Sequence, residues 1–247
     1  MASYQGDPNT YTRWSRSESA YTVLEWYVFL RTLGSVKGSS ILDLACGEGR
    51  LSRELMRLGA ARVIGTDVSS HMIEQAVARN QPDHEAHIGK ALRYAVVDAA
   101  DEGFVLAEPA DIVTAMYLFH YAPSEAALFA MCRQIGRNLK PGGRFVTYTI
   151  NPDYDFSAQD PAMEAQFGFR YETIKPPRHL LIIGGFEVDI WQWSTETHEA
   201  ALTAAGLVDI KWHPLELPAT RPDLAPQVQW YLDNPSCVVL SAERARD

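Results

Sequence analysis

The sequence predicts an α/β fold in which strands and helices alternate around a parallel sheet. Short apolar runs alternate with amphipathic stretches between residues 41 and 150, which is typical of repeated βα units. Capping and turn-forming residues stand at the junctions between these runs. Because domains commonly hold roughly 100–200 residues, the 247 residues are expected to form one elaborated domain.

Five apolar runs are predicted strands. Four of them are clear and one is weaker, namely residues 40–44, 62–67, 111–116, 144–150 and, less clearly, 94–97. The predicted helices lie between them, at residues 49–58, 70–80 and 124–139. The last helix runs into Lys-Pro-Gly-Gly at residues 140–143, where the basic residue suits a helix C-terminus and the Pro-Gly-Gly run predicts a turn.

The composition and the periodicity of the sequence change after residue 151. A stretch rich in Pro, Asp and aromatic residues continues to about Phe186 without firm periodicity, which indicates an insertion over an open site. A helix is predicted at about residues 197–205, capped by Ser194 or Thr195 and ended by Gly206, and a terminal strand at residues 237–242. The expected parts are an N-terminal lid or helical segment (1–34), a ligand-binding core (35–150), a substrate cap (151–193) and a C-terminal helix and strand pair (194–247).

Composition restricts the partners and the location. A net charge of −9 argues against nucleic acid, whose backbone is bound by clustered Lys and Arg. The sequence contains neither the apolar block of a secretory signal nor the roughly 20 apolar residues of a membrane span. The three cysteines are odd in number and far apart, which indicates buried thiols. A cytoplasmic monomer or homodimer with a small-molecule partner is therefore expected.

A metal site is not expected. His84 and His87 have a ligand-like HxxH spacing, but the sequence shows no third ligand beside them and their segment is polar, which favours a solvated loop.

The run from Ile41 to Gly49, ILDLACGEG, is a strand followed by an acid-led turn of small residues that opens a helix. Small residues let the backbone approach a ligand closely. The dinucleotide fingerprint GxGxxG would need a third glycine where Arg50 stands, and no GxxxxGK phosphate loop is present. The leading acid, Asp43, favours a nucleoside that carries an amino acid, because a carboxylate can reach a cationic amino group.

A second acid supports a nucleoside ligand. Asp67 ends the next predicted strand, 67 − 49 = 18 residues after Gly49, near the offset at which an acid accepts hydrogen bonds from both ribose hydroxyls. The alternative is that Asp67 only caps the helix that follows it.

Five segments, LDLACGEG, VIGTDVSSHMIEQA, VVDAAD, ADIVTAMYLFHYA and LKPGGRFV, follow one another in this order over about residues 38–150. As an ordered set they resemble the motifs of class I S-adenosylmethionine (SAM) dependent methyltransferases. The resemblance implies a Rossmann-like, seven-stranded, mostly parallel sheet with helices on both faces and a reversed terminal strand pair. It also implies an enzyme that uses SAM as methyl donor and releases S-adenosylhomocysteine.

The resemblance implies a set of cofactor-binding residues as well. Asp43, Ala45, Gly47 and Gly49 would surround the methionine part of SAM. Ala45 stands where the family often has glycine. The other implied contacts are Asp67 at the ribose, Met72 on the adenine face, Asp98 and Ala99 at the adenine edge, and Cys46, Val68 and Met116 beside them.

The aromatic N-terminus, the insertion and the tail WSTETHEAALTAAGLVDIKWHPL are similar to toxoflavin-pathway N-methyltransferases. This similarity implies secondary metabolism and methyl transfer to nitrogen of a small, planar heteroaromatic acceptor. Methylation of oxygen on a small carboxylate or phenol is the alternative. Outside methyl transfer, a nucleotide-dependent oxidoreductase or a SAM-binding protein without turnover would fit, although Arg50 argues against the oxidoreductase.

Methyl transfer is an in-line displacement that depends mainly on positioning, so a base is optional. His120, just past the fourth strand, is the candidate base, and packing is its alternative role. Glu48 and Arg50 could be ordinary helix-start charges. The insertion aromatics could be core, but their number favours a pocket wall, and the N-terminus is expected to form a lid through Tyr4 or Tyr11. The predicted substrate-binding residues are Tyr4, Tyr11, Tyr117, Tyr121, Tyr171, His179 and Trp193.

Overall fold

The computed structural model describes residues 19–80, 91–183 and 186–246. These residues form six α-helices: α1 (Ala20–Leu33), α2 (Arg50–Arg57), α3 (Ser70–Arg79), α4 (Glu125–Asn138), α5 (Thr195–Ala204) and α6 (Ala225–Asp233). The strands are β1 (Ser40–Leu44), β2 (Arg62–Asp67), β3 (Leu92–Val96), β4 (Ala110–Met116), β5 (Leu139–Ile150), β6 (Phe169–Lys175), β7 (Arg178–Ile183), β8 (Phe186–Trp191), β9 (Leu207–His213) and β10 (Cys237–Arg244).

Seven strands form one sheet in the order β3-β2-β1-β4-β5-β10-β9. The first five are mutually parallel, whereas β10 runs antiparallel to both β5 and β9. The expected seven-stranded, mostly parallel sheet with a reversed terminal pair is confirmed. This topology brings the carboxyl ends of β1, β2 and β4 to one edge, where open α/β sheets bind ligands.

Four helices begin at a serine, and these starts explain why the helices lie where they do. The side chains of Ser19, Ser69, Ser124 and Ser194 accept hydrogen bonds of 3.2–3.3 Å from the backbone N–H three residues later. Each cap satisfies one of the N–H groups that a helix start leaves without an intrahelical partner. Ser194 is thus the cap of α5, one of the two residues expected in that role.

Two apolar cores cover the sheet, one on each face. Along β1, Ile41 belongs to a first core that lies under α1, α2 and the insertion. Leu42 and Leu44 belong to a second core under α4 and α5. Successive strand residues point to opposite faces, so helices on both faces require apolar side chains on both sides of β1. This explains why β1 has no regular alternation of polar and apolar residues, with Ser40 and Asp43 as its polar members.

The insertion contains more regular structure than the sequence predicted. Strands β6, β7 and β8 form a separate antiparallel sheet, with the two prolines at 176–177 between β6 and β7. Only Phe169 and Tyr171 are buried along β6, so its period-2 pattern is too short to recognise. The prolines that suggested a loop belong to a hairpin turn.

The Pro-Gly-Gly run also differs from its prediction. It lies inside β5 rather than between α4 and a later strand, and the pairing of β5 with β4 shifts register between Ala110 and Ile112. Gly142 has a φ of 73° there. Gly142 therefore allows the irregular backbone at the start of β5, and no separate turn precedes the strand in this described part of the chain.

None of the helices in the described ranges is both long and apolar enough to cross a membrane.

Gly136 marks the closest approach of α4 to the end of α5. A Cβ at this position would lie 2.2 Å from the Ala205 carbonyl oxygen, a backbone atom that also accepts a 2.6 Å hydrogen bond from Arg244. Exchanging Gly for Ala inside a helix ordinarily stabilises it by about 1 kcal/mol. We expect Gly136→Ala instead to lower the free energy of unfolding by about 1–3 kcal/mol, the usual cost of overpacking.

Urea denaturation measures this effect. The reverse exchange on the same helix, Ala130→Gly, is the control and should cost about 1 kcal/mol through helix propensity alone. A stabilised Gly136→Ala variant would show that the two helices are not in close contact.

Candidate active site

The turn between β1 and α2 has an unusual backbone. Ala45, Gly47 and Gly49 all have positive φ angles, of 52°, 54° and 79°. For the two glycines this conformation is free of strain, whereas an L-residue such as Ala45 bears a cost of about 1–2 kcal/mol. The Cys46 N–H is anchored to the carbonyl of Thr66 at 2.9 Å. The turn therefore holds its backbone at the sheet edge, with few side-chain atoms in the way.

Asp67 connects this turn to the end of β2. One carboxylate oxygen accepts from the Gly47 N–H and the other from the Ser69 N–H, both at 2.9 Å. Burial raises the pKa of Asp67, and these backbone N–H groups act against the rise. Ser69 is the cap of α3, so Asp67 does not cap the helix itself but accepts from the N–H of the capping residue. The Val68 N–H also acts on this carboxylate, and the carboxylate has more lone pairs than these three donors use.

Asp43 is almost fully buried at the carboxyl end of β1. The hydroxyl of Ser52 donates to one of its oxygens at 2.6 Å, and the hydroxyl of Thr114 donates to the other at 2.9 Å. Burial raises the pKa of Asp43 to about 6, against the effect of the two hydroxyl donors. The two neutral donors fix the position of the carboxylate but bring no positive charge, so a cation would be attracted to it.

A cleft of about 530 Å³, part of it open to solvent, lies between α1 and the β1–α2 turn. Six residues expected in the site line it: Asp43, Ala45, Cys46, Gly47, Met116 and Tyr117. The structure adds five that the sequence reasoning did not place there: Glu25, Trp26, Glu48, Arg50 and Leu51. The cleft thus has one wall made by the turn and another made by the N-terminal helix.

Arg50 and Glu48 have larger roles than helix-start charges. The Arg50 guanidinium lies 4.4 Å from the ring centroid of Trp26, a cation–π contact that joins α2 to α1. Glu48 is buried and forms ion pairs with Arg53, at 3.2 Å, and with Arg79. Both residues stand at the start of α2, as expected, and both also join α2 to neighbouring parts of the structure.

Glu25 and Trp26 had a weak signal in the sequence. They are adjacent on a segment predicted to be helical and aromatic, but nothing in the pattern showed which residues would contact the β1–α2 turn. The contact depends on the tertiary packing of α1 over the sheet.

Six further cofactor candidates lie outside the described cleft wall, and one of them is Gly49. Asp67 ends β2, Val68 and Met72 come after it, and Asp98 and Ala99 follow the carboxyl end of β3. The Asp98 carboxylate accepts from the Ala100 N–H at 2.9 Å, and Val68 is exposed. They share the sheet edge with the cleft, so contact with one extended ligand stays a prediction.

Gly49 has a different role from Gly47. A Cβ at Gly49 would lie 2.3 Å from the Tyr94 hydroxyl, whereas a Cβ at Gly47 would meet nothing within 4 Å. Gly49 therefore lets Tyr94 pack against the turn, and Gly47 keeps space open in the cleft.

His120 is buried among aromatic rings and does not line the described cleft. Its ring lies 4.4 Å from Tyr121 and 5.9 Å from Tyr117, centroid to centroid. Burial lowers its pKa to about 3, so the ring is neutral. Its Nδ1 has no hydrogen-bond partner within the described ranges. This environment agrees with the packing alternative, and a role as base stays a prediction.

The other expected acceptor residues do not gather around the cleft. Tyr171 and His179 are buried in the insertion, where His179 stacks on Phe156 at 3.6 Å. Trp193 donates to the Ala122 carbonyl at 3.1 Å. Tyr171, with Tyr154, Phe167 and Phe169, belongs to the first core, so these aromatics are core as well as cap.

Two sets of expectations lie outside the described residues. Tyr4 and Tyr11, with the N-terminal lid, fall in residues 1–18, and His84 and His87 fall in residues 81–90. The part of the chain that the structure describes contains no group of three or more His, Cys, Asp or Glu side chains that could hold a metal ion.

The sheet order with β10 reversed, together with an acid-led small-residue turn after β1, defines the architecture of class I SAM-dependent methyltransferases. Residues 41–143 match the family model described as "Methyltransferase domain". This match and the sheet order support a similarity to the class I SAM-dependent methyltransferases, enzymes whose methyl donor is SAM.

Relatives and solved structures agree with this assignment. The chain is 32% identical over 123 residues to "Ubiquinone biosynthesis O-methyltransferase" of Nitrosococcus oceani, over 50% of this chain and 48% of that protein. The enzyme of the same name from Leptothrix cholodnii is 31% identical, over 49% of this chain and 48% of that protein. The chain therefore spans about half the length of the curated relatives it matches.

The similarity in structure extends over most of the chain. The S-adenosylmethionine dependent methyltransferase from Mesorhizobium loti has a TM-score of 0.65 and 25% identity, covering 91% of this chain and all of that one. A Listeria monocytogenes protein described as a putative S-adenosylmethionine dependent methyltransferase has the same TM-score at 20% identity, covering 90% of this chain and 97% of that one, and it supports the fold alone.

The two turn glycines give a matched test of the site geometry. Both have left-handed φ angles, so Ala at either position should cost about 1–2 kcal/mol of backbone strain. Only Gly49→Ala also collides with Tyr94, which should add about 1–3 kcal/mol. We expect thermal unfolding to show a clearly larger loss of stability for Gly49→Ala than for Gly47→Ala. Equal losses would contradict the packing of Tyr94 against Gly49.

Proposed function

We propose that this protein transfers the methyl group of SAM to a small-molecule acceptor held in the cleft between α1 and the β1–α2 turn. The observation that carries the proposal is the fixed backbone and the open space at Gly47. Its N–H is held by Asp67 at 2.9 Å, and a Cβ there would meet nothing within 4 Å. The backbone is thus fixed beside space that a ligand could fill.

The residues present fit SAM. The buried Asp43 carboxylate, fixed by two hydroxyls, suits the cationic amino group of the methionine part. Asp67 retains lone pairs for ribose hydroxyls, as acids after the second strand do in nucleoside sites. Met72, Asp98 and Ala99 are proposed for the adenine end. When bound, SAM supplies a methyl group on a sulfonium centre, which a nucleophile can attack in line.

The acceptor side of the cleft favours a flat, mostly neutral ring. Trp26 and Tyr117 supply aromatic surface, and Met116 and Leu51 are apolar. Aromatic walls bind flat rings through contacts worth about 0.5–1.5 kcal/mol beyond burial. Positioning such a ring against the methyl group is the main source of rate that this architecture offers.

We propose oxygen as the methylated atom. The curated relatives bear the name O-methyltransferase, which supports oxygen over the ring nitrogen expected from the similarity to toxoflavin-pathway enzymes. The match covers about half of each relative, so the acceptor is not transferred from them. Nitrogen is the alternative that the acceptor screen below distinguishes.

Asp67→Ala tests the methyl donor. Removing hydrogen bonds to a charged group costs about 1.5–3 kcal/mol, so SAM affinity should fall by ~10- to 150-fold. Calorimetric titration measures it. Asp101→Ala is the matched control, because Asp101 also accepts a backbone N–H, at 2.9 Å from Gly103, but is not among the residues proposed to contact SAM. Binding of NADH in place of SAM would instead favour the oxidoreductase.

An acceptor screen tests the second half of the proposal. Labelled SAM is offered with phenols, flat N-heterocycles, carboxylates and amino acids, and the position of the methyl group is found by NMR. We expect turnover of ring hydroxyls. Exclusive methylation of ring nitrogen would restore the toxoflavin-type prediction, and turnover of aliphatic carboxylates alone would contradict a flat acceptor while leaving methyl transfer in place.

A further inference from the structure

Glu25 is a buried carboxylate in the wall of the cleft. It lies on α1, is only 3% exposed, and lines the cleft beside Met116 and Tyr117. The same face of α1 is otherwise largely apolar and packs into the first core. Burying a carboxylate costs several kcal/mol unless it is paired, so helix packing alone does not account for Glu25.

A directed chain of hydroxyls ends at this carboxylate. Tyr117 donates to Glu25 Oε2. The Tyr117 and Tyr21 hydroxyls lie 2.9 Å apart, and Tyr148 donates to Tyr21 at 3.4 Å. An ionised Glu25 can only accept, so the Tyr117 proton is then donated to it and Tyr21 donates to Tyr117. In that state the three hydroxyls can all donate toward the carboxylate.

Tyr117 is held in place at a conformational cost. Its φ is 62°, a left-handed angle that costs a non-glycine residue about 1–3 kcal/mol and is typical of functional sites. Its N–H is fixed by the Tyr148 carbonyl at 2.8 Å. The strained backbone at the end of β4 directs the Tyr117 hydroxyl to the cleft, where Glu25 accepts its proton.

The two carboxylate oxygens of Glu25 differ in their hydrogen-bond donors, since Oε2 accepts from Tyr117. Across the described ranges, no donor reaches Oε1. The titratable and charged groups that interact with Glu25 there are Arg50, Tyr117, Tyr148 and Cys237. Arg50 is stacked on Trp26, from where its charge acts on Glu25 without a hydrogen bond.

Burial raises the pKa of Glu25 to about 7, while the Tyr117 hydrogen bond and the Arg50 charge act to lower it. A group that exchanges its proton near neutral pH is well suited to general-base catalysis. The position, the directed hydroxyl chain and the available oxygen all indicate the same role.

We propose that Glu25 is the catalytic base, whose Oε1 takes the proton from a ring O–H of the acceptor while Tyr117 holds Oε2. This inference rests on the proposed function. The acceptor oxygen forms a bond to the methyl carbon as the carbon–sulfur bond breaks, and the bonding pair stays on sulfur. The acceptor proton moves to Glu25, so the positive charge of the sulfonium and the negative charge of the carboxylate are lost together.

The role of Glu25 also defines the acceptor class. A neutral ring that carries an acidic O–H, or an N–H, supplies the proton that the carboxylate takes. A carboxylate acceptor has no proton to give at neutral pH and would be repelled by a second buried anion. Glu25 would thus select phenol-like acceptors against acids of similar size.

The first test is the pH profile of turnover for the best acceptor in the screen. In the wild type, kcat/KM should rise with pH through about 7, because the base must be ionised. Glu25→Gln should lower kcat by ~10²- to 10⁴-fold and abolish the rise of kcat/KM with pH, while the affinity for SAM is retained. Tyr117→Phe is the matched variant. It keeps the Glu25 carboxylate but removes the hydroxyl that lowers its pKa, so the rise of kcat/KM should move to higher pH.

The second test needs no turnover and uses catechol as probe. Its affinity for the complex with S-adenosylhomocysteine, followed by tryptophan fluorescence, should rise with pH through about 7 in the wild type and be flat in Glu25→Gln. Benzoate should bind more weakly as pH rises. Benzimidazole in place of catechol reports on the N–H case.

Several results would overturn the inference. One is a Glu25→Gln variant whose kcat/KM still rises with pH through about 7. Another is a Tyr117→Phe variant in which this rise does not move to higher pH. The third is failure of both catechol and benzimidazole to bind. Loss of SAM binding in the wild type would contradict the proposed function itself. If SAM binds and acceptors react independently of Glu25, only the base assignment fails.

Discussion

The hydrogen bond from the Gly47 N–H to the Asp67 carboxylate is the interaction on which the rest of the site depends. It joins the β1–α2 turn to the end of β2 and fixes a backbone in which Ala45, Gly47 and Gly49 all have left-handed φ angles. A backbone held in this way leaves open space at Gly47. Preorganised geometry of this kind reduces the ordering cost that a ligand would otherwise impose.

The acceptor side depends on a different set of contacts. Tyr21, one turn of α1 before Glu25, packs against Phe167, Phe169 and Tyr231 with ring centroids 5.1–5.5 Å apart. The insertion, α6 and α1 thus share one aromatic core. Because the Tyr21 hydroxyl also belongs to the chain that ends at Glu25, the packing of the cap is coupled to the position of the carboxylate.

The sequence predicted the central sheet well because its signals are local. The bounds of β1 and β2 agree with the structure to the residue, since each is a short apolar run ending in a tight turn. Asp43 and Gly47 were also expected from one contiguous segment, and both line the cleft. The small cap sheet was missed because its strands alternate too briefly to be recognised.

The part of the site formed by α1 could not be read from sequence for a different reason. Glu25 and Tyr117 are 92 positions apart, and no periodicity connects them. The cap aromatics were expected to be a pocket wall, yet Tyr154, Phe167 and Tyr171 are buried in the first core. Composition could not distinguish these two fates, because both require the same apolar rings.

Hydrogen–deuterium exchange on addition of S-adenosylhomocysteine tests the central claim most directly. The claim is that one ligand is held by the β1–α2 turn and covered by α1. It predicts slower exchange at the backbone amides of residues 44–51 and in α1, with no such effect from NADH. Protection that leaves the turn unchanged, or that NADH reproduces at the same amides, would contradict it.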